Sequence, residues 1–309
     1  MNELKIFVPA TIANVSCGFD VLGLALDTVG DEMTIRKVSE KGIKITKILG
    51  QDLPLETHKN VAGVAALALL TKANCDFGFE IEINKCIKPG SGIGSSAASS
   101  AGAVWAMNEL LGKPFTITDL VKFAMEGERL ASGVAHADNV APALFGGFTL
   151  VRSYEPLDIL SIHTPKELYA TVIHPQIEIK TSDARNILKA TVPLKDAIKQ
   201  WGNLGGLISG LYTEDYDLIG RSLEDYIIEP IRSILIPAFE SVKQEAKNAG
   251  ALGCGISGSG PSIFALSKGK KTALSVANAM KLVYNKVGID YDIHVSKVNT
   301  KGIKILDSK

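Results

Sequence analysis

The chain has 309 residues, 46% of them hydrophobic, and its 33 Lys and Arg balance its 33 Asp and Glu to a formal net charge of zero. That length suggests about two domains with a sizeable core, and no run of like charges offers a footprint for nucleic acid or an anionic membrane. The longest apolar stretch, VAGVAALALL, is about half a membrane span, and the N-terminus lacks a basic region followed by a long apolar one, so a cytoplasmic protein without nucleic-acid or membrane partners is expected.

LKIFVPA, EMTIRKV, GIKITKIL and FGFEIEINK alternate apolar and polar residues, as half-buried strands do, and NVAGVAALALLTKA between them has a helical pattern. Residues 87–99 read IKPGSGIGSSAAS. Glycines at 90, 92 and 94 admit positive φ and close approach of a ligand, and the alanine-rich run that follows predicts a helix starting near Ser95. A helix start presents unpaired N–H groups and positive dipole, which suits phosphate; a plain glycine turn with a serine N-cap fits the same residues. No lysine follows the glycines, and their spacing is not G-x-G-x-x-G, so the P-loop and dinucleotide fingerprints are both excluded.

Two helices follow, SSAASSAGAVWAMNELLG and TITDLVKFAMEGERLAS, the second opening on a capping box of Thr116 and Asp119. Near residue 155 the pattern resets: GGFTLVRS and LYATVIHP read as strands, and helical patterns dominate from Ser182 to Gly250. A second glycine segment, GALGCGISGSGPS at 250–262, precedes the strand IFAL. After it come a helix at KTALSVANAMKLVYNKVG and the strands YDIHVSKV and GIKIL. The expected fold class is α+β, with domains at 1–155 and 156–309 and the two glycine segments as walls of a shared cleft. Cys17, Cys75, Cys86 and Cys254 lack C-x-x-C spacing and read as reduced thiols.

Three segments, PATIANVSCGFDVLG, PGSGIGSSAAS and GCGISGSGPS, resemble in order and separation the motifs of the superfamily of galactokinase, homoserine kinase, mevalonate kinase and phosphomevalonate kinase. NVSCGFDVLGLAL, SGVAHADNVAPALFGGF and TSDARNIL make the chain most similar to the homoserine kinases. The departures are Ile93 in place of leucine and a missing proline in RNILKATVP. The resemblance implies an N-terminal ribosomal-protein-S5-like α/β sandwich, a C-terminal ferredoxin-like α/β sandwich and a nucleotide in the cleft between them. It also implies transfer of phosphate from ATP to the side-chain hydroxyl of L-homoserine; related enzymes are commonly homodimers, though no stretch of this sequence marks an interface, so the oligomeric state stays open. Another kinase of the superfamily, a decarboxylase on the same scaffold and a catalytically silent binding module stay open as alternatives.

The site residues follow from the same resemblance. Pro89, Gly90, Ser91, Gly92, Ile93, Gly94, Ser95, Ser96, Ala97, Ala98, Ser99 and Asn60 would bind nucleotide, and Ser96 and Glu128 would hold Mg2+. Asn14, Asp20, His136, Arg185 and Arg232 would bind homoserine, with the arginines on its carboxylate and Asp20 on its ammonium group. Thr181 would lie near the transferred group. Asn139 stands where several related kinases place a basic aspartate, with Asp138 as its neighbour, so no side-chain base is required.

Overall fold

β1 (Glu3–Ala13) and β2 (Leu22–Val38) pair antiparallel along most of their length in the computed structural model. That model describes residues 2–179 and 181–309, the side chains of Thr181 and Ser182 excepted. β3 (Gly42–Leu49), α1 (Val61–Ala73) and β4 (Gly78–Asn84) follow, then α2 (Ser95–Leu110), α3 (Ile117–Ser132) and α4 (Val140–Phe145). After them come β5 (Phe148–Tyr154), β6 (Leu157–Ile162), β7 (Leu168–Pro175) and α5 (Thr181–Asn186). The remainder is α6 (Leu194–Thr213), α7 (Tyr216–Ser222), α8 (Glu229–Arg232), α9 (Phe239–Asn248), β8 (Gly253–Ile256), β9 (Ile263–Lys268), α10 (Lys270–Val287), β10 (Tyr291–Lys297) and β11 (Lys304–Ser308).

The first sheet has seven strands in the order β11-β1-β2-β4-β3, with β5 pairing β2 and β6 pairing β5. The second has four, ordered β10-β7-β9-β8, the fourth, first, third and second in chain order. The α+β class is as expected, but the strands do not partition at residue 155. β6 and β11 both lie beyond it, and both join the first sheet, β11 by antiparallel pairing with β1. The last strand therefore returns to the layer where the chain began.

β2 begins ten residues earlier than its alternation predicts. Leu22 to Leu26 are all buried, because that half packs on both faces and shows no period of two. α2 is likewise buried nearly all round, with α1, α3, α4 and the first sheet against it. Its small residues make that possible: a Cβ on Gly102 would stand 2.4 Å from Met33 Sδ and 2.6 Å from Val8 Cγ2. The capping box of α3 forms as predicted, Thr116 accepting from the amide of Asp119 and the Asp119 carboxylate from that of Thr116. Burial of α2 fixes where its first turn points, and the site is built there.

Candidate active site

Gly90, Gly92 and Gly94 have φ of 73°, 82° and 71°, alternating with Ser91 and Ile93, which turn into the protein and are buried. Left-handed residues at every second position make a backbone concavity of the kind that binds anions. Gly94 is also the N-cap of α2, so no side chain caps this helix. Ser95, the first helical residue, donates instead to the carbonyl of Ile87 at 2.9 Å. The serine N-cap that would make this an ordinary turn is absent, and the open first turn lines a cavity of about 490 Å³.

Glu128, near the end of α3, faces the same cavity and is buried; its Oε1 has no partner among the described residues. Burial pushes its carboxyl up to about 7, against opposing pulls from a hydrogen bond with Ser96 and the charge of Lys85. Lys85 was not legible as a site residue. Its ammonium lies under the first turn of α2, paired with the buried carboxylate of Asp31 and donating to the Ser95 carbonyl at 2.5 Å and to Ser99 Oγ at 2.9 Å. Asp31 in turn accepts from the amides of Cys86 and Ile87, each at 2.8 Å. A buried pair this fully hydrogen-bonded fixes α2 against the end of β4.

Asn139 precedes α4, and its Oδ1 accepts from the Thr11 hydroxyl at 2.7 Å. A Cβ on Gly94 would meet both, at 2.0 Å from Thr11 Oγ1 and 3.1 Å from Asn139 Oδ1. With its oxygen engaged, the amide presents N–H donors to the cavity, and an amide is no base at neutral pH. Asp138 also lines the cavity; burial, then the charges of Asp20 and Glu128, push its carboxyl up to about 7.

The remaining wall carries paired charges. Arg185 donates to both carboxylate oxygens of Asp20, at 2.9 and 3.1 Å. Arg232 is buried, donating to the carbonyls of Ala184 at 2.9 Å and Gly258 at 3.2 Å. Asn14 donates to the same Gly258 carbonyl at 2.8 Å and accepts from the Asp20 amide at 3.0 Å. His136 Nδ1 stands 3.9 Å from Asp20, and its buried Nε2 is unpartnered among the described residues. Burial lowers the His136 pKa, Asp20 opposes that and the two arginines add to it, so the surroundings disfavour the charged ring. Two arginines 47 positions apart thus converge with one aspartate, a constellation suited to a zwitterion.

The cavity therefore gathers Asn14, Asp20, Pro89, Gly90, Gly92, Gly94, Ser95, Ser96, Ser99, Glu128, His136, Asp138, Asn139, Arg185 and Arg232. Ser91, Ile93, Ala97 and Ala98 support the loop from within the core. Asn60 caps α1, its side chain accepting from the amides of Ala62 and Gly63, and its neighbour Val61 lines the cavity instead. The side chain of Thr181 lies outside the described residues. Sequence reasoning missed Thr11 and Lys85; Thr11 sits inside the segment PATIANVSCGFD, but nothing in the pattern marked Lys85. The cysteines are free, Cys17 and Cys254 buried and Cys86 exposed.

Residues 60–147 match the family described as GHMP kinases N terminal domain, and residues 207–286 match GHMP kinases C terminal. A homoserine kinase of Chlorobaculum tepidum is 47% identical over 322 aligned positions, covering 100% of this chain and 99% of that one. The crystal structure of homoserine kinase from Cytophaga hutchinsonii has a TM-score of 0.95 at 52% identity, covering 99% of this chain and 98% of that one. A mevalonate kinase of L. major in complex with R-mevalonate shares the fold alone, with a TM-score of 0.72 at 16% identity, 95% of this chain and 96% of that one being covered.

Proposed function

We propose, on the premise that this chain belongs to the homoserine kinase family of GHMP kinases, that it transfers the γ-phosphoryl group of ATP to the side-chain hydroxyl of L-homoserine. The product, O-phospho-L-homoserine, is an intermediate of threonine biosynthesis. One observation carries the reading: a single cavity joins an uncapped helix start with Ser96 and Glu128 to the charged set Asp20, Arg185 and Arg232. The first half suits a polyphosphate, the second an α-amino acid.

In this reading the glycine loop and first turn of α2 take the polyphosphate through backbone N–H groups. Ser96 and Glu128 fit Mg2+, since a hard cation bound with phosphates needs only one or two protein oxygens, and Glu128 has an oxygen to give. The ion supplies neutralisation of phosphate charge. Arg185 and Arg232 hold the homoserine carboxylate and Asp20 its ammonium, while Asn14 and His136 complete the polar lining. The homoserine oxygen bonds to the γ-phosphorus as the bond to the β,γ-bridging oxygen breaks and ADP leaves, and the hydroxyl proton is lost late, to solvent water. A loose transition state asks little of a base, so positioning carries much of the rate, and Asn139 contributes as a donor. Thr181 near the transferred group, a cytoplasmic location and a homodimer belong to the same reading and rest on the family.

Coupled ADP release tests it. L-homoserine is expected to be turned over far faster than mevalonate or galactose; comparable rates with either, or release of carbon dioxide, would overturn it.

A further inference from the structure

The substrate arginines share a feature that no hydrogen bond reveals. The guanidinium carbon of Arg185 lies 5.6 Å from the ring centroid of Phe19, and that of Arg232 lies 5.0 Å from the same centroid. Both distances are within cation–π range. The two cations come from different elements, α5 and α8, and repel each other. Asp20 neutralises one of them directly. Among the described residues the hydrogen-bond acceptors of Arg232 are the two carbonyls, Asp20 acts on it through charge alone, and the ring is a contact that the two guanidinium groups share.

The loop that carries Phe19 is held unusually tightly. Asn14, Val15, Ser16 and Asp20 all have positive φ, at 71°, 43°, 59° and 61°, a conformation that non-glycine residues adopt only under constraint from their surroundings. The constraint is visible: Asn14 bonds Gly258 and the Asp20 amide, and the Tyr154 hydroxyl donates to the Asp20 carbonyl at 3.2 Å. Phe19, immediately before Asp20, is thereby set against both guanidinium groups.

We propose that Phe19 is a positioning residue for the amino-acid substrate, its ring holding Arg185 and Arg232 side by side so that they meet one carboxylate together. The inference rests on the homoserine reading of the site. Phe19 touches no reacting atom; it acts through the arginines. Its contribution therefore falls on homoserine binding rather than on the chemical step or on ATP.

The test is a series at position 19 of the full-length enzyme, by site-specific incorporation of phenylalanine carrying one, two or three ring fluorines, together with Phe19→Tyr and Phe19→Leu. Fluorination weakens the negative ring face while nearly preserving shape. The KM for L-homoserine is expected to climb stepwise, by roughly ten-fold over the series, with kcat and the KM for ATP within about two-fold. Phe19→Tyr should behave as wild type, and Phe19→Leu should match or exceed the trifluoro variant. A flat fluorine series in an enzyme that turns over homoserine overturns the inference alone, as does a KM for ATP that rises in step. Wild-type enzyme that neither binds nor phosphorylates homoserine overturns the underlying reading and this inference with it.

Discussion

The hydroxyl of Ser257 donates to the carbonyl of Gly92 at 2.7 Å, tying together two glycine segments 165 positions apart. Around this bond the Ser262 amide donates to the Ser91 carbonyl at 3.2 Å, and the Thr11 amide to the Ile93 carbonyl at 3.1 Å. The second glycine segment thus braces the first as well as walling the cavity beside it, and its Gly258 carbonyl anchors Asn14 and Arg232.

Gly92 is irreplaceable on two counts. Its φ of 82° disfavours any side chain, and a Cβ would stand 2.6 Å from the Gly260 carbonyl oxygen and 2.7 Å from that of Ser257. Gly92→Ala is expected to cost at least ~1–3 kcal/mol in urea unfolding and to raise the KM for ATP sharply. Ser257→Ala should cost about 1 kcal/mol and raise that KM a few-fold. Wild-type stability and KM in both variants would refute the brace.

In the proposed reading, Glu128 and Asn139 would differ in what they offer phosphoryl transfer. Glu128 supplies an unpaired, buried carboxylate oxygen beside Ser96; Asn139 supplies only amide donors. Glu128→Ala is expected to lower kcat by roughly 10³-fold, and Asn139→Ala by about ten-fold or less. Steady-state kinetics with magnesium ATP decide it, and small, equal effects would undo the assignment.

Asp138 gives the free enzyme a pH-dependent stability. Burial, with the charges of Asp20 and Glu128, raises its carboxyl from 3.8 to about 7, so the folded state keeps a proton that the unfolded chain releases. Between about pH 4 and 7, where the folded state binds more protons, stability falls as pH rises, a tenfold difference in proton affinity between the two states corresponding to about 1.4 kcal/mol. Thermal melting at constant ionic strength should show a declining Tm over that range, and Asp138→Asn should flatten the slope. Glu229, raised to about 7 mainly by burial, works in the same direction, so some slope should persist. An Asp138→Asn slope as steep as wild type would exclude this account.

Much was legible in the chain itself. The period of two in LKIFVPA and EMTIRKV fixed strands, Thr116 and Asp119 fixed a helix start, and glycines at every second position from 90 to 94 fixed a left-handed loop, because these signals depend on neighbours within a few residues. Buried-all-round elements were harder. The first half of β2 carries no alternation when both faces are covered, and β11 could not be assigned to the first sheet, since strand pairing is a long-range choice.

At the site, the glycine loop pointed to phosphate and the family resemblance implied a zwitterion, but only the tertiary structure decided how the two sets of residues meet. Nothing local to Lys85 predicts its burial against Asp31, 54 positions away. Asn60 shows the reverse: expected to bind nucleotide, it is engaged locally as the cap of α1, accepting from amides two and three positions on, while its neighbour Val61 lines the cavity. Arg185, Arg232 and Phe19 come together because α5, α8 and the strained loop after β1 are each fixed by packing elsewhere. Chemistry is carried by residue identity and local spacing; the convergence of charges from distant segments is set by the packing of the elements that carry them.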